Sequence, residues 1–232
     1  MSDRHKLTGP LENGDFPTRL RARVISPGAQ PKVHGYDVEG DLARHYRFTD
    51  LVYLLLTGEL PSSEAAAGFE VALCFLAPVS VAHASTHASV LARLCGASTS
   101  TTIGVSATAL GEQARVTLAE HEGLLRWLDA PSEPFPARYA ATEESDLSSL
   151  DRLKAALLPT GLDVPGLAAR PTRSAALLIL LRACGLKRKD QLELLLVLAR
   201  LPAAMSEAFA ERATNFGNYP INLPAFSYED PA

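Results

Sequence analysis

Nothing in this 232-residue chain is long and apolar enough to cross a bilayer: the longest aliphatic run, Ala175 to Leu181, falls well short of the ~20 residues a span needs. The opening MSDRHKLTGP carries no apolar stretch of the kind a signal peptide uses. Cysteine is scarce, with only Cys74, Cys95 and Cys184, and no CxxC spacing joins them. They are expected to be reduced core thiols of a cytoplasmic protein. Positive charge is not in excess, since the net charge is −4, and that balance argues against a nucleic-acid binder, which would show a basic stripe. Aromatics make up 6% with a single Trp, and β-branched residues are sparse beside Ala and Leu. That bias favours helix over strand.

The motifs of common chemistries are missing as well. There is no GxSxG, no GxxxxGK[ST], no GxGxxG and no HExxH. All six histidines (His5, His34, His45, His83, His87 and His121) lie in the first 121 residues, so the second half can supply no catalytic histidine. His83 and His87 share a face only if that stretch is helical throughout, and no third ligand stands near them, so no metal site is assigned. Lys187-Arg188-Lys189 follows a helix end and reads as a solvated turn that complements the helix dipole.

What is present is helical periodicity. Residues 1–35 form a polar, Pro/Gly-rich arm with at most a short strand over Leu20 to Ile25. A helix is expected over about Tyr36 to Tyr46. Another, capped by Thr49, runs from Asp50 to Thr57 and stops at Gly58, with Pro61 beyond. Ser63 caps a third through Leu76. Helices follow over Ser85 to Gly96, Thr101 to Gly111 and Gln113 to Leu128, with Gly111 as a break. The proline-rich stretch 130–170 shows one convincing helix, Leu147 to Leu158. Two strongly apolar helices come last, Ser174 to Cys184 with Gly185 as C′, and Asp190 to Thr214 with a kink at Pro202. The tail from Tyr219 to Ala232 reads as extended.

One long stretch adds what spacing alone does not. His34-Gly-Tyr-Asp-Val-Glu-Gly-Asp-Leu-Ala43, followed by Phe48-Thr-Asp-Leu-Val-Tyr-Leu-Leu-Leu-Thr-Gly-Glu-Leu-Pro61, resembles the N-terminal signature of the citrate synthase family, which includes 2-methylcitrate synthase and citryl-CoA lyase. His83 to Ser98 is similar to that family's histidine followed by N-A-S-T-F-x-A-R-V-x-A-S, with Arg93 in register. Ser174 to Glu211 is similar to its aspartate helix, Gly-Leu turn and A-R-bearing helix, with Gly185 and Ala199-Arg200 in register. The resemblance covers about residues 20–115 and 170–230.

It implies an all-α, citrate synthase-like fold: an N-terminal arm (1–35), a large helical domain (36–129 and 171–232) and a reduced small domain or cover segment (130–170). It also implies a dimer, either a homodimer or a hetero-oligomer with a full-length citrate synthase homologue. In that family a 2-oxo acid such as oxaloacetate condenses with an acyl-CoA, so no resident cofactor is implied; a coenzyme A thioester would be substrate or ligand. Three of the family's groups do chemistry, each positioned acid or base being worth ~10²–10⁴ in rate. Their positions are filled differently here. Ala109 to Arg115 lacks the HGGA-like histidine, no GHRVY occurs, and the interval up to the aspartate helix is much shorter than in a full-length synthase. The aspartate position falls on Ser174, and the arginine a partner subunit donates falls near Asn222. No catalytic residue is assigned. By the resemblance, His83 and Arg200 remain as substrate-binding residues, Arg200 suited to hold a di- or tricarboxylate. Three functions follow: a non-catalytic structural or regulatory subunit; an active lyase or synthase using displaced groups such as His83, His87, His121 or Glu112; or a carboxylate- or CoA-sensing module.

Overall fold

The computed structural model describes residues 21–130 and 134–212. The chain divides into two compact units that meet between Phe48 and Thr49. In the first, β1 (Ile25–Ser26), β2 (Lys32–Val33) and β3 (Tyr36–Asp37) make a small antiparallel sheet in that order. The helix expected over Tyr36 to Tyr46 is therefore interrupted. Asp37 ends β3 and its carboxylate accepts the Glu39 and Gly40 N–H groups at 3.0 and 2.7 Å. That cap opens a wide π-type turn, Val38–Leu42, which runs into the single-turn helix α1 (Ala43–His45). Asx capping of this kind competes with the regular helical ladder.

Among the described residues, the second unit is helical apart from one isolated bridge between Ala140 and Pro171. α2 spans Phe48–Thr57 and α3 spans Ser63–Leu76. The α3 cap is Ser62, one residue earlier than expected, its Oγ accepting from Ala65 N at 3.2 Å. α4 (Ala84–Leu94) and α5 (Thr99–Glu120) follow. After α6 (Glu122–Asp129) come α7 (Glu144–Leu157), a 3-10 turn over Pro165–Ala169, α8 (Arg173–Ala183) and α9 (Lys189–Ala210). α9 continues through Pro202. The expected end of that helix at Thr214, the tail from Tyr219, Asn222 and the first 20 residues of the arm lie outside the described residues.

α8 is the axis of the core. Every residue from Ala175 to Leu181 is buried, as an all-round apolar helix requires. α3, α6, α7 and the Pro165–Ala169 turn pack around it. Beside this group, α4, α5 and α9 pack on one another, and Ala114, Leu118, Leu192, Leu195 and Leu196 carry the core across to them. Phe69, Leu180 and Leu181 are fully buried, each worth about 1.5–3 kcal/mol by transfer.

Two expectations need correction. Gly111 does not break a helix, because α5 runs unbroken over Thr99–Glu120. A glycine costs about 1 kcal/mol in a helix interior. That is little beside a face that buries Thr102, Ser106, Leu110, Ala114 and Leu118 at four-residue spacing. The three cysteines are all free thiols, but only Cys184 is in the core; Cys74 and Cys95 are exposed. Cys74 falls on the outward side of α3 and Cys95 caps α4, positions an apolar neighbourhood in sequence does not reveal. Burial pushes the Cys184 thiol up to about 12, so it stays protonated.

The α4–α5 seam is built from small polar residues. Ser85, Thr86, Ser89, Thr102 and Ser106 are all buried. Ser89 Oγ donates to Ser85 O at 2.7 Å and Thr102 Oγ1 to Ser98 O at 3.0 Å, whereas Thr86 Oγ1 and Ser106 Oγ have no partner. A buried unpaired hydroxyl costs about 1–3 kcal/mol. Ser106→Ala removes that cost without adding volume, so it should stabilise by about 1 kcal/mol and raise Tm by roughly 2–4 °C, read by thermal unfolding.

Candidate functional site

Arg173 and Arg200 interact near the start of α8, and His83 stands at the start of α4. Arg173 is the first residue of α8, and Thr172 caps the helix. Its backbone N–H donates to Asp146 Oδ1 at 3.0 Å, which ties α7 to the start of α8. Its guanidinium donates to Ser149 Oγ at 2.9 Å and to the Phe75 carbonyl at 2.8 Å. Both of these guanidinium acceptors are neutral, while the Asp146 carboxylate sits on the backbone N–H of the same residue.

Arg200 lies on α9 and is half-buried. Burial, and then the charge of the neighbouring Arg173, hold its guanidinium below the usual arginine range. Among the described residues it forms no ion pair and no hydrogen bond. Two like charges acting on one another in a half-buried setting are an electrostatically costly arrangement that a bound anion would relieve.

His83 precedes α4 as its N-cap, exposed, and its carbonyl accepts the His87 N–H at 2.9 Å. His83 thus stands just outside the helix that carries His87. His83 Nδ1 is 3.1 Å from Gln113 Nε2, and Gln113 Oε1 is 3.4 Å from Ser85 Oγ. With the amide nitrogen donating, Nδ1 is the acceptor, so the neutral ring carries its proton on Nε2 and presents a donor outward. A small apolar cluster links His83 to Arg200. Val79, four residues before His83, packs with Leu110, one turn before Gln113, and with Ala204, one turn after Arg200.

The other candidates are placed elsewhere or otherwise engaged. His121 sits between α5 and α6, its Nδ1 at 2.8 Å from the Thr117 carbonyl and its ring stacked on Tyr139 at 5.4 Å. Glu112 pairs with Arg115 on the exposed face of α5 at 2.6 Å. Arg188 pairs with Asp190, and its N–H donates to Gln191 Oε1 at 2.9 Å, so the basic cluster is in part a helix start. Among the described residues no three His, Cys, Asp or Glu side chains gather as a metal site, and no helix is long and apolar enough to cross a membrane. Sequence reasoning missed Arg173, Asp146 and Gln113, which are brought in by contacts 24 to 98 residues apart.

No protein-family model matches the sequence, and no curated protein matches it. Solved structures do. A citryl-CoA lyase from Hydrogenobacter thermophilus superposes with a TM-score of 0.63 at 14% identity, over 92% of this chain and 96% of that one. This is the all-α, citrate synthase-like fold. An ATP citrate lyase from Methanothrix soehngenii, solved with citrate and coenzyme A, matches with a TM-score of 0.55 at 14% identity over 96% of this chain. A D541A mutant of the Methanosaeta concilii ATP citrate lyase, in complex with (3S)-citryl-CoA, matches with the same TM-score, 0.55, and the same 14% identity. The chain spans 43% of the length of each ATP citrate lyase, but nearly all of the citryl-CoA lyase.

Proposed function

We propose that this protein binds a citrate-type di- or tricarboxylate and acts as a non-catalytic structural or regulatory member of the citrate synthase-like fold. The observation that carries this reading is the Arg173–Arg200 pair: Arg200 forms no ion pair with a described residue, the Arg173 charge acts on it, and the Arg173 guanidinium donates to neutral acceptors. Arg200 supplies the free guanidinium fork, which holds a carboxylate through two parallel bonds. Arg173 supplies fixed charge, and the Nε2 donor of His83 takes a further carboxylate. The loss of chemistry rests on the residue at the start of α8: Ser174 is exposed and cannot remove a carbon-bound proton as a carboxylate would. The partner is a second copy of the chain or a longer homologue. Ile103 and Val116 on α5 and Leu194, Leu198 and Phe209 on α9 leave apolar side chains exposed for it.

A second reading keeps catalysis, and Asp146 favours it. This carboxylate reaches the start of α8 from α7, at 3.0 Å from Arg173 N, and so stands next to the position where the resemblance expects an aspartate. The experiment that separates the two combines thermal shift with turnover. Citrate at a hundredfold its Kd should stabilise the protein by about 2.7 kcal/mol, a rise of roughly 5–10 °C, while (3S)-citryl-CoA is not cleaved. No shift with citrate or oxaloacetate sinks the binding reading. Cleavage that is lost in Asp146→Asn establishes the catalytic one.

A further inference from the structure

A cavity lies away from the arginine pair, toward the far end of α8. Arg173 and Arg182 are nine residues apart on that helix, on the order of 14 Å along its axis. The cavity measures about 650 Å³, within the range of small-molecule sites. One wall is aromatic: Trp127 of α6 and Phe135 meet edge to face with ring centres 5.3 Å apart. Its floor is Pro165, Gly166 and Ala169 of the 3-10 turn set against Ile179 and Ala183 of α8. Gly166 is required there, because a Cβ on it would lie 2.8 Å from Ile179 Cγ2.

Polar groups in the lining are few, and their charges define the ligand. Arg182 is already engaged, paired with Asp129 and donating to the Lys187 carbonyl. Lys187 is exposed, and its ammonium forms no ion pair with a described residue. Asp163 adds one negative charge to the same lining and so disfavours a second anionic group on the ligand. An apolar body with one carboxylate fits this arrangement; a nucleotide or a tricarboxylate does not.

We propose that the cavity between α6, the Pro165–Ala169 turn and the C-terminal half of α8 is a binding site for an apolar monocarboxylic acid of medium chain length, its chain against Trp127 and Phe135 and its carboxylate on Lys187. The site is independent of the arginine pair and of the function read from it. A ligand here would grip α6 and α8, the latter being the helix whose other end holds Arg173, which makes the cavity suited to regulation of that end.

Trp127 is the only tryptophan in the chain, so its fluorescence reports on this cavity directly. Titration with octanoate should give a saturable change. Lys187→Gln should weaken octanoate about tenfold, the worth of one charge-assisted hydrogen bond, and leave 1-octanol unaffected. Ala183→Phe, built from an exposed position into the cavity, should abolish the saturable change at unaltered Tm. Arg200→Met should leave it intact. The proposal is overturned by any of three results: no saturable change at millimolar octanoate in the full chain, equal binding by Lys187→Gln, or binding that survives Ala183→Phe.

Discussion

Arg200→Met should weaken citrate binding at least about a hundredfold, while the unliganded protein loses no stability. The first half follows from geometry: a guanidinium that takes a carboxylate in two parallel bonds contributes about 3 kcal/mol, which methionine cannot supply. The second half follows from what surrounds the side chain. An arginine that serves structure sits beside an acid, and removing it strands a buried charge at a cost of about 3–5 kcal/mol. Arg200 forms no ion pair with a described acid, and the charge that acts on it is the like-signed Arg173. Methionine keeps the apolar stem and deletes the repulsion, so Tm should hold or rise. Arg200→Lys keeps the charge without the fork and should fall between, at about tenfold weaker. Isothermal titration with citrate, read beside thermal unfolding without ligand, gives both halves. A fall in the unliganded Tm with no loss of affinity would mean Arg200 is a packing residue.

That split between binding and stability also explains how much of the site could be read from the chain. Arg200 was legible because it falls in an ordered pattern with Ala199 and Gly185. Arg173 was not, since it stands beside Ser174, and Thr172-Arg-Ser174 draws notice for the carboxylate it lacks. Only the fold shows that its guanidinium reaches back to Phe75 and Ser149. Asp146 is in the same position: an acidic first-turn residue of α7 by sequence, and an acceptor at the start of α8 by structure. Contacts at such separations have no local signature.

The helices themselves were far more legible, because burial imposes period. The fully apolar run of α8 and the leucines of α7 at three- to four-residue spacing leave little choice. Where a glycine was given too much weight, as at Gly111, tertiary packing overrode the local preference. Where a short polar side chain was given too little, as at Asp37, a cap converted an expected helix into a strand and a wide turn. The cavity beside Trp127 belongs to the illegible part. It is assembled from α6, α8 and the proline-rich stretch that matched nothing in the resemblance.

Gly185→Ala should cost about 3 kcal/mol and lower Tm by roughly 6–12 °C, for two separable reasons. Gly185 closes α8 at φ +100°, a region where a side chain costs about 1–3 kcal/mol. Its second constraint is contact: a Cβ there would lie 2.7 Å from the Tyr53 hydroxyl. That hydroxyl cannot simply turn away. Tyr53 is buried, packs edge to face on Phe69 at 5.5 Å, and donates to the Cys184 carbonyl at 2.8 Å. Burial, with Cys184 and Glu59 adding to it, holds the phenol above its ordinary range, so it remains a donor. Displacing it forfeits a buried hydrogen bond worth about 1 kcal/mol. A double-mutant cycle apportions the two causes. Tyr53→Phe alone loses the hydrogen bond, but in the Gly185→Ala background it also removes the obstruction. The double variant should then be more stable than the sum of the singles by about 1 kcal/mol. Strict additivity would assign the whole cost to the backbone angle. A large coupling would place the hydroxyl of Tyr53 as the reason this turn, which joins α8 to α9, accepts no side chain.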